Sequence, residues 1–211
     1  MANAATDSVK KAGYHHGSLR DALIEAAHDL VSQKGEDGFT MADACRAAGV
    51  STAAPYRHFS DREDLINALA EKGFDILADR TRVARDGHKA GSIESIIAMG
   101  QAYVSFAVDE SALFRIMFGR HAHSHEGDQV DSECFAVLLE AVQNFLEVHP
   151  MLKQPVMSVA VPLWTIVHGA ASLLIDKNFA VIAPDTDVDA LVADTTRRYL
   201  NGVLAEFFKQ Q

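Results

Sequence analysis

The stretch Thr40 to Phe59, TMADACRAAGVSTAAPYRHF, runs directly into Ser60-Asp61-Arg62-Glu63-Asp64-Leu65 and constrains this chain more than any other segment. Its pattern predicts two short helices joined by a tight turn at Gly49, with another helix starting at once. Thr40-Met41-Ala42-Asp43 is a capping-box start, in which a hydroxyl and a carboxylate satisfy free N–H groups reciprocally. Gly49 supplies the left-handed conformation that a sharp turn needs. Ser51 is expected to cap or nearly cap the second short helix. Pro55 falls early in that helix, where its missing N–H costs little. Ser60-Asp61-Arg62-Glu63 reads as a further capping box, opening a long helix through Leu65, Leu69, Phe74 and Leu77 toward Arg82. Two short helices about a Gly turn form the layout of a helix-turn-helix, which lays one short helix in the major groove of DNA.

Charge is compatible with a local nucleic-acid site only. The 211 residues carry a net charge of −10, which argues against a surface that binds nucleic acid all over. Residues 1–62 hold seven Lys or Arg against eight Asp or Glu, a net of −1, and the remaining 149 residues hold −9. The acidic bulk therefore lies away from the helix-turn-helix, where it would keep the rest of the protein off the phosphates. Hydrophobic content of 48% is that of an ordinary globular chain. No apolar run is read as reaching the ~20 residues of a membrane helix. The N-terminus lacks the apolar core of a signal peptide, so the expectation is a soluble, cytoplasmic protein with no membrane partner. Cys45 and Cys134 have neither pairing nor metal spacing, and both are read as reduced, buried thiols.

Every periodic segment has helical spacing, and none alternates like a strand. Residues 1–13 read as a polar arm. Ser18-Leu19-Arg20-Asp21 starts a helix carrying Leu19, Leu23, Ile24, Ala27, Leu30 and Val31, stopped by Gly35. A break falls at Asp86–Gly91. Further helices are expected over Ser92–Val108, Ser111–Phe118, Glu133–Val148, Val156–Asp176 and Thr186–Phe208, with a polar loop at His121–Asp131 and a turn at Ala183-Pro184-Asp185. The expected fold is all-α with about nine helices. It comprises a three-helix helix-turn-helix domain over 14–72 and a helical ligand-binding and dimerisation domain over 73–211, the boundary lying inside the long fourth helix.

A recognition helix needs small residues at its N-terminus and hydrogen-bonding side chains that reach phosphates on either side. Ser51, Thr52, Ala53 and Ala54 supply the first. Thr52 and Ala53 suit base edges, including thymine methyl groups. Tyr56 and His58 supply phosphate donors, Thr40 holds a phosphate at a helix N-terminus, and Arg62 reaches the same strand. Phe59 reads as a core aromatic and Cys45 as the buried side of its helix. Thr40, then Ala48-Gly49-Val50-Ser51, then Tyr56-x-His58-Phe59, then Asp61-Arg62-Glu63-x-Leu65, together with the upstream Tyr14-His15-His16-Gly17 and Leu19-Arg20, resembles the TetR family of transcriptional regulators. The resemblance implies an all-helical homodimer on a palindromic operator in double-stranded DNA, usually a repressor released by a small-molecule effector. It implies phosphate roles for Thr40, Tyr56, His58 and Arg62, and base-facing roles for Thr52 and Ala53. Ala53 stands where many members have Gly, and Pro55 and Arg57 flank the Tyr, which leaves open which side chain reads bases.

Trp164-Thr165-Ile166-Val167-His168-Gly169 is similar to a Trp-x-x-x-His-Gly signature of one group of TetR-family C-terminal domains. Trp164 and His168 are i, i+4 and share a helix face. One reading is a packed core with a hydrogen-bonded histidine. The other sets them in the wall of an effector pocket with Tyr103, Phe106, Phe114, Met117, Phe118 and Leu139, whose aromatic and Met character suits an apolar ligand. The last helix is apolar over more than one face. Its stripe Leu191, Thr195, Tyr199, Val203 and Phe207 is a candidate dimer interface of four helices. An alternative partner is a metal ion, because His121, His123 and His125 point the same way in an extended loop. No cofactor is expected, and no nucleophile elbow, phosphate-binding Gly loop or HExxH motif suggests an enzyme.

Overall fold

The computed structural model describes residues 19–119 and 132–209, and the described part is built from helices and turns. Helix α1 (Leu19–Lys34) is followed by a 3-10 turn at Glu36–Gly38, then α2 (Met41–Ala48), a second 3-10 turn at Pro55–Arg57 and the long α3 (Arg62–Asp86). The rest consists of α4 (Ile93–Asp109), α5 (Ser111–Met117), α6 (Ser132–Glu147), α7 (Val156–Ile175), α8 (Asn178–Ile182) and α9 (Val188–Lys209). The number of α-helices matches the expectation, but the membership does not. The helix expected from Ser51 is reduced to a single 3-10 turn, and α8 occupies the stretch just before the expected turn at Ala183.

The local causes are visible. Thr40 caps α2 with the full reciprocal box to Asp43, and Gly49 ends it at φ 71°, ψ 28°. An α-helix starting at Ser51 would need residue 55 to donate its N–H to the Ser51 carbonyl, and Pro55 has none to give. That carbonyl accepts from Ala54 N instead, at 3.0 Å, and the chain tightens into one turn closed by His58 N on Pro55 O at 2.8 Å. The start of α3 differs by one residue from the expected box. Asp61, not Ser60, is the cap, accepting from Asp64 N at 2.9 Å, while Asp64 accepts from Ser60 N. Gly91 closes the α3–α4 connection at φ +74°, where a Cβ would lie 2.6 Å from the Asn144 carbonyl oxygen.

Helix α3 runs unbroken from the N-terminal unit into the C-terminal one. Its first half packs with α1 and the 35–40 loop through Leu65, Ile66 and Leu69, all essentially buried together with Leu23, Ala27, Val31, Phe39 and Phe59. Its second half faces α4 and α6. Helix α5 lies against α1 and α3, so the two units share one continuous core through Phe106, Leu113, Phe114, Ile116 and Met117. At that seam His28 Nε2 stands 2.9 Å from Glu110 Oε2, and Arg80 pairs with Asp109 at 2.8 Å. Helices α4, α6, α7 and α9 then pack around a second cluster containing Val142, Phe145, Val159, Ala160, Leu163 and Leu200.

The expectation about apolar runs is revised by α7. Its 20 residues carry no charge and include an 18-residue stretch of mean hydropathy 1.7, enough by length and composition to cross a bilayer. Here its inner face, with Val159, Ala160, Leu163, Val167, Ala170 and Ala171, is buried in the domain. Pro162 interrupts its hydrogen-bond ladder, because it cannot donate to the Ser158 carbonyl one turn back. The hydroxyl of Tyr199 in α9 donates to that carbonyl at 3.1 Å. A defect in one helix thereby becomes a strut between two.

Candidate nucleic-acid interface and C-terminal cavity

The segment between Gly49 and α3 presents one face to solvent. Ser51, Thr52, Ala53, Tyr56, Arg57 and His58 are exposed, and Tyr56 retains 61% of its surface. Pro55 and Phe59 point inward and pin the strip to the core, Phe59 lying 5.6 Å below the guanidinium of Arg20. A large aromatic left in water beside an exposed Arg and His has no folding reason to be there.

Two residues expected to grip phosphate are engaged within the protein. The hydroxyl of Thr40 donates to Asp43 Oδ2 at 2.7 Å and its N–H donates to the same oxygen at 2.9 Å. These bonds hold the Asp43 carboxyl below its ordinary range, and Arg46 pairs with it at 3.0 Å. Thr40 is therefore a cap first, and a phosphate there would meet the first-turn N–H groups of α2 beside an existing carboxylate. Arg62 is the larger correction. Its Nε donates to the Phe39 carbonyl at 3.0 Å, a terminal nitrogen donates to the Glu36 carbonyl, and the guanidinium covers the Phe39 ring at 4.6 Å. It ties α3 to the loop after α1 instead of reaching outward. Arg46, exposed on α2, was not singled out from the sequence, and its spacing of three from Asp43 is the signal that places both on the outer face.

In the C-terminal unit a cavity of about 500 Å³ lies between α3, α4, α6, α7 and α9. Of the eight residues expected in its wall, Tyr103, Phe118, Leu139 and Trp164 are there. Phe106, Phe114 and Met117 are corrected to core: they are 0–2% exposed and sit behind the wall in the seam between the two units. His168 stands one layer back as well. Its Nδ1 shares a hydrogen bond with the Tyr103 hydroxyl at 2.9 Å, and the ring is packed among Phe114, Phe118 and Trp164 at 4.8–5.6 Å. Burial pushes its pKa down from the ordinary 6.5, so the imidazole is held neutral. Trp164 faces the cavity, whereas His168, expected in the wall beside it, packs behind Tyr103. Cys45 is fully buried, whereas Cys134, also expected to be buried, is half-buried in the cavity wall. Thr81, Phe135 and Thr196 also line the wall and were not singled out. The two threonines on otherwise apolar stripes were the available signal.

On α9, Leu191 is exposed and Thr195 half-buried, but Val203 is corrected to core at 7% exposure and Tyr199 has its hydroxyl on α7. The side chain of Phe207 falls outside the described ones. So do Tyr14–Gly17 and the His121, His123 and His125 loop. Among the described residues no three His, Cys, Asp or Glu are grouped to hold a metal.

An all-α chain with an exposed helix-turn-helix strip and a second helical unit has the architecture of a DNA-binding regulator. Residues 23–69 match the profile of bacterial regulatory proteins of the tetR family, and residues 96–199 match that of the Tetracyclin repressor-like C-terminal domain. The chain belongs to the TetR family. It is similar to the HTH-type transcriptional regulator AlkX of Mycobacterium tuberculosis, with 28% identity over 113 residues, 52% of each chain. It is also similar to the nucleoid occlusion factor SlmA of Vibrio vulnificus, with 32% identity over 120 residues, 56% of this chain and 60% of that one. The chain thus matches between about half and three-fifths of these curated relatives' length. A solved protein of unknown function from Rhodococcus superposes with a TM-score of 0.77 at 27% identity, over 91% of this chain and 98% of that one.

Proposed function

We propose that this chain is a DNA-binding transcriptional regulator that works in the cytoplasm. It holds double-stranded DNA with the Ser51–His58 strip and acts as a repressor that a small, largely apolar effector releases. The observation that carries the reading is the exposed Tyr56-Arg57-His58 cluster, anchored from below by Pro55 and Phe59 and flanked by the N-terminus of α2. Tyr56, Arg57 and His58 contact phosphates, and Thr52 and Ala53 face base edges. Membership of the TetR family and similarity to an HTH-type transcriptional regulator support the same reading.

The DNA-bound form is a homodimer on a palindromic operator, with half-sites about one turn, ~34 Å, apart. Support comes from the outer face of α7 and its neighbours, where Leu173, Val181, Ile182 and Leu191 are 40–83% exposed. Around them Gly169 and Gly202 leave open space, where a second copy could approach closely. The test is a selection of genomic fragments with purified protein followed by footprinting. A protected palindrome spanning two adjacent turns is the expected result. Absence of any enriched site at low salt would remove the reading.

A further inference from the structure

The cavity carries more information than its apolar character. Two threonines belong to its wall, and they differ. Thr81 donates its hydroxyl to the Leu77 and Ala78 carbonyls of its own helix at 2.9 and 3.0 Å, so its polar group is satisfied. Thr196 is 2% exposed, yet its hydroxyl makes no hydrogen bond to any described residue. That hydroxyl is not sealed among protein atoms, and a hydroxyl at an apolar cavity wall gains from a hydrogen-bonding partner inside the cavity. Trp164, in the same wall, likewise makes no hydrogen bond through its indole N–H among the described residues. An otherwise apolar chamber thus offers one hydroxyl and one indole N–H to a molecule that fills it.

Charge narrows the class further. Among the described residues no Lys, Arg, Asp or Glu lines the cavity. Helices α4, α6 and α7, which supply most of the wall, contain five carboxylates and no Lys or Arg. The arginines of α3 that flank Thr81 are committed elsewhere: Arg80 to Asp109, Arg82 to Asp79 and Glu133, Arg85 to Asp86 and Glu140. An anionic head group entering this space would lose its water and find no described cation, and a cationic one would find no carboxylate in the wall.

We infer that the cavity takes an uncharged, predominantly apolar molecule bearing a hydrogen-bonding oxygen, an alcohol or a carbonyl compound, which Thr196 contacts. This rests on the effector reading above and sharpens it. A volume of about 500 Å³ suits a ligand of drug-like size or smaller.

Trp164 is the chain's sole tryptophan, so its emission reports on the cavity in the unmodified protein. The experiment titrates the full chain at pH 7, without DNA, with 1-octanol, octanoate, octylammonium and octane. The expected result is that octanol shifts the Trp164 emission and binds about tenfold or more tightly than either ion. The near-isosteric Thr196→Val should weaken octanol roughly three- to tenfold and leave octane unchanged, with circular dichroism confirming the fold. Octanoate or octylammonium binding as tightly as octanol would overturn the inference, and so would failure of all four probes to bind. Equal losses for octanol and octane in Thr196→Val would remove Thr196 from it. Footprinting with and without octanol separates the two readings. Binding that leaves the footprint intact sinks effector control but not the ligand class, and a footprint without ligand binding does the reverse.

Discussion

Tyr56, Arg57 and His58 owe their exposure to Pro55 and Phe59, which take the buried positions on either side. Since the three make no contribution to the core, their substitution should change DNA binding and leave folding alone. Arg57→Ala should lower affinity for all sequences and reduce the salt slope of log K by about 1. Tyr56→Phe should weaken all operators alike, whereas Thr52→Ala should alter sequence preference. An unchanged salt slope in Arg57→Ala would place the phosphates elsewhere. His168 gives a second prediction at this scale. Its pKa in the folded protein lies below 6.5, so the unfolded chain binds the proton more readily. The contribution is present above pH 6.5 and is lost as pH falls from there through the lower pKa of the folded state, because protonation then favours unfolding. Denaturant midpoints between pH 7.5 and 5.5 should therefore drop more for the native chain than for His168→Gln. The residue roles that were legible in sequence were those set by local chemistry, such as the Thr40 cap and the Gly49 turn. Arg62 was not, because nothing local indicates that the Glu36 and Phe39 carbonyls fold back within its reach.

At the scale of elements, helical periodicity carried α1 through α7 and α9 to within a few residues. It fails at Ser51–His58, where Ser51 reads as the cap of a helix that tolerates Pro55 early on, although the missing N–H falls opposite the Ser51 carbonyl. It also could not separate cavity from core. Phe114 and Phe118 are one turn apart on α5 and its end, equally apolar, yet only Phe118 reaches the cavity. Packing between helices makes that difference, and it leaves no trace in a stripe of hydrophobic residues. The α7–α9 strut makes an element-scale prediction. Tyr199→Phe should cost about 1 kcal/mol, since the Ser158 carbonyl loses its donor. In a Pro162→Ala background that carbonyl regains a donor from its own helix, so the same change should cost less. Equal costs in the two backgrounds, measured as a double-mutant cycle in urea, would show that the strut is incidental.

For the whole molecule, the proposed dimer rests on a face that the described residues leave bare. A Cβ at Gly169 meets nothing within 4 Å, so the side chain of Gly169→Phe starts into open space. It should yield a monomer by sedimentation, with operator affinity lost and the Trp164 response to octanol retained. A dimer that survives this change would have to use another face.

Helix α3 gives the two units a common shaft. Its first turn is bolted to the carbonyls of Glu36 and Phe39 by Arg62, and Phe74 and Thr81 reach the cavity further along. Its 25 residues make a rod of about 37 Å at 1.5 Å per residue, so a tilt of only about 5° swings one end by roughly 3 Å. That displacement is close to the ~3.4 Å rise of one base-pair step. In a two-fold pair each strip moves by that amount, and two strips set for adjacent grooves fall out of step with the DNA. A ligand would need to shift the cavity wall by only a fraction of an atom's width for the far end to lose its register.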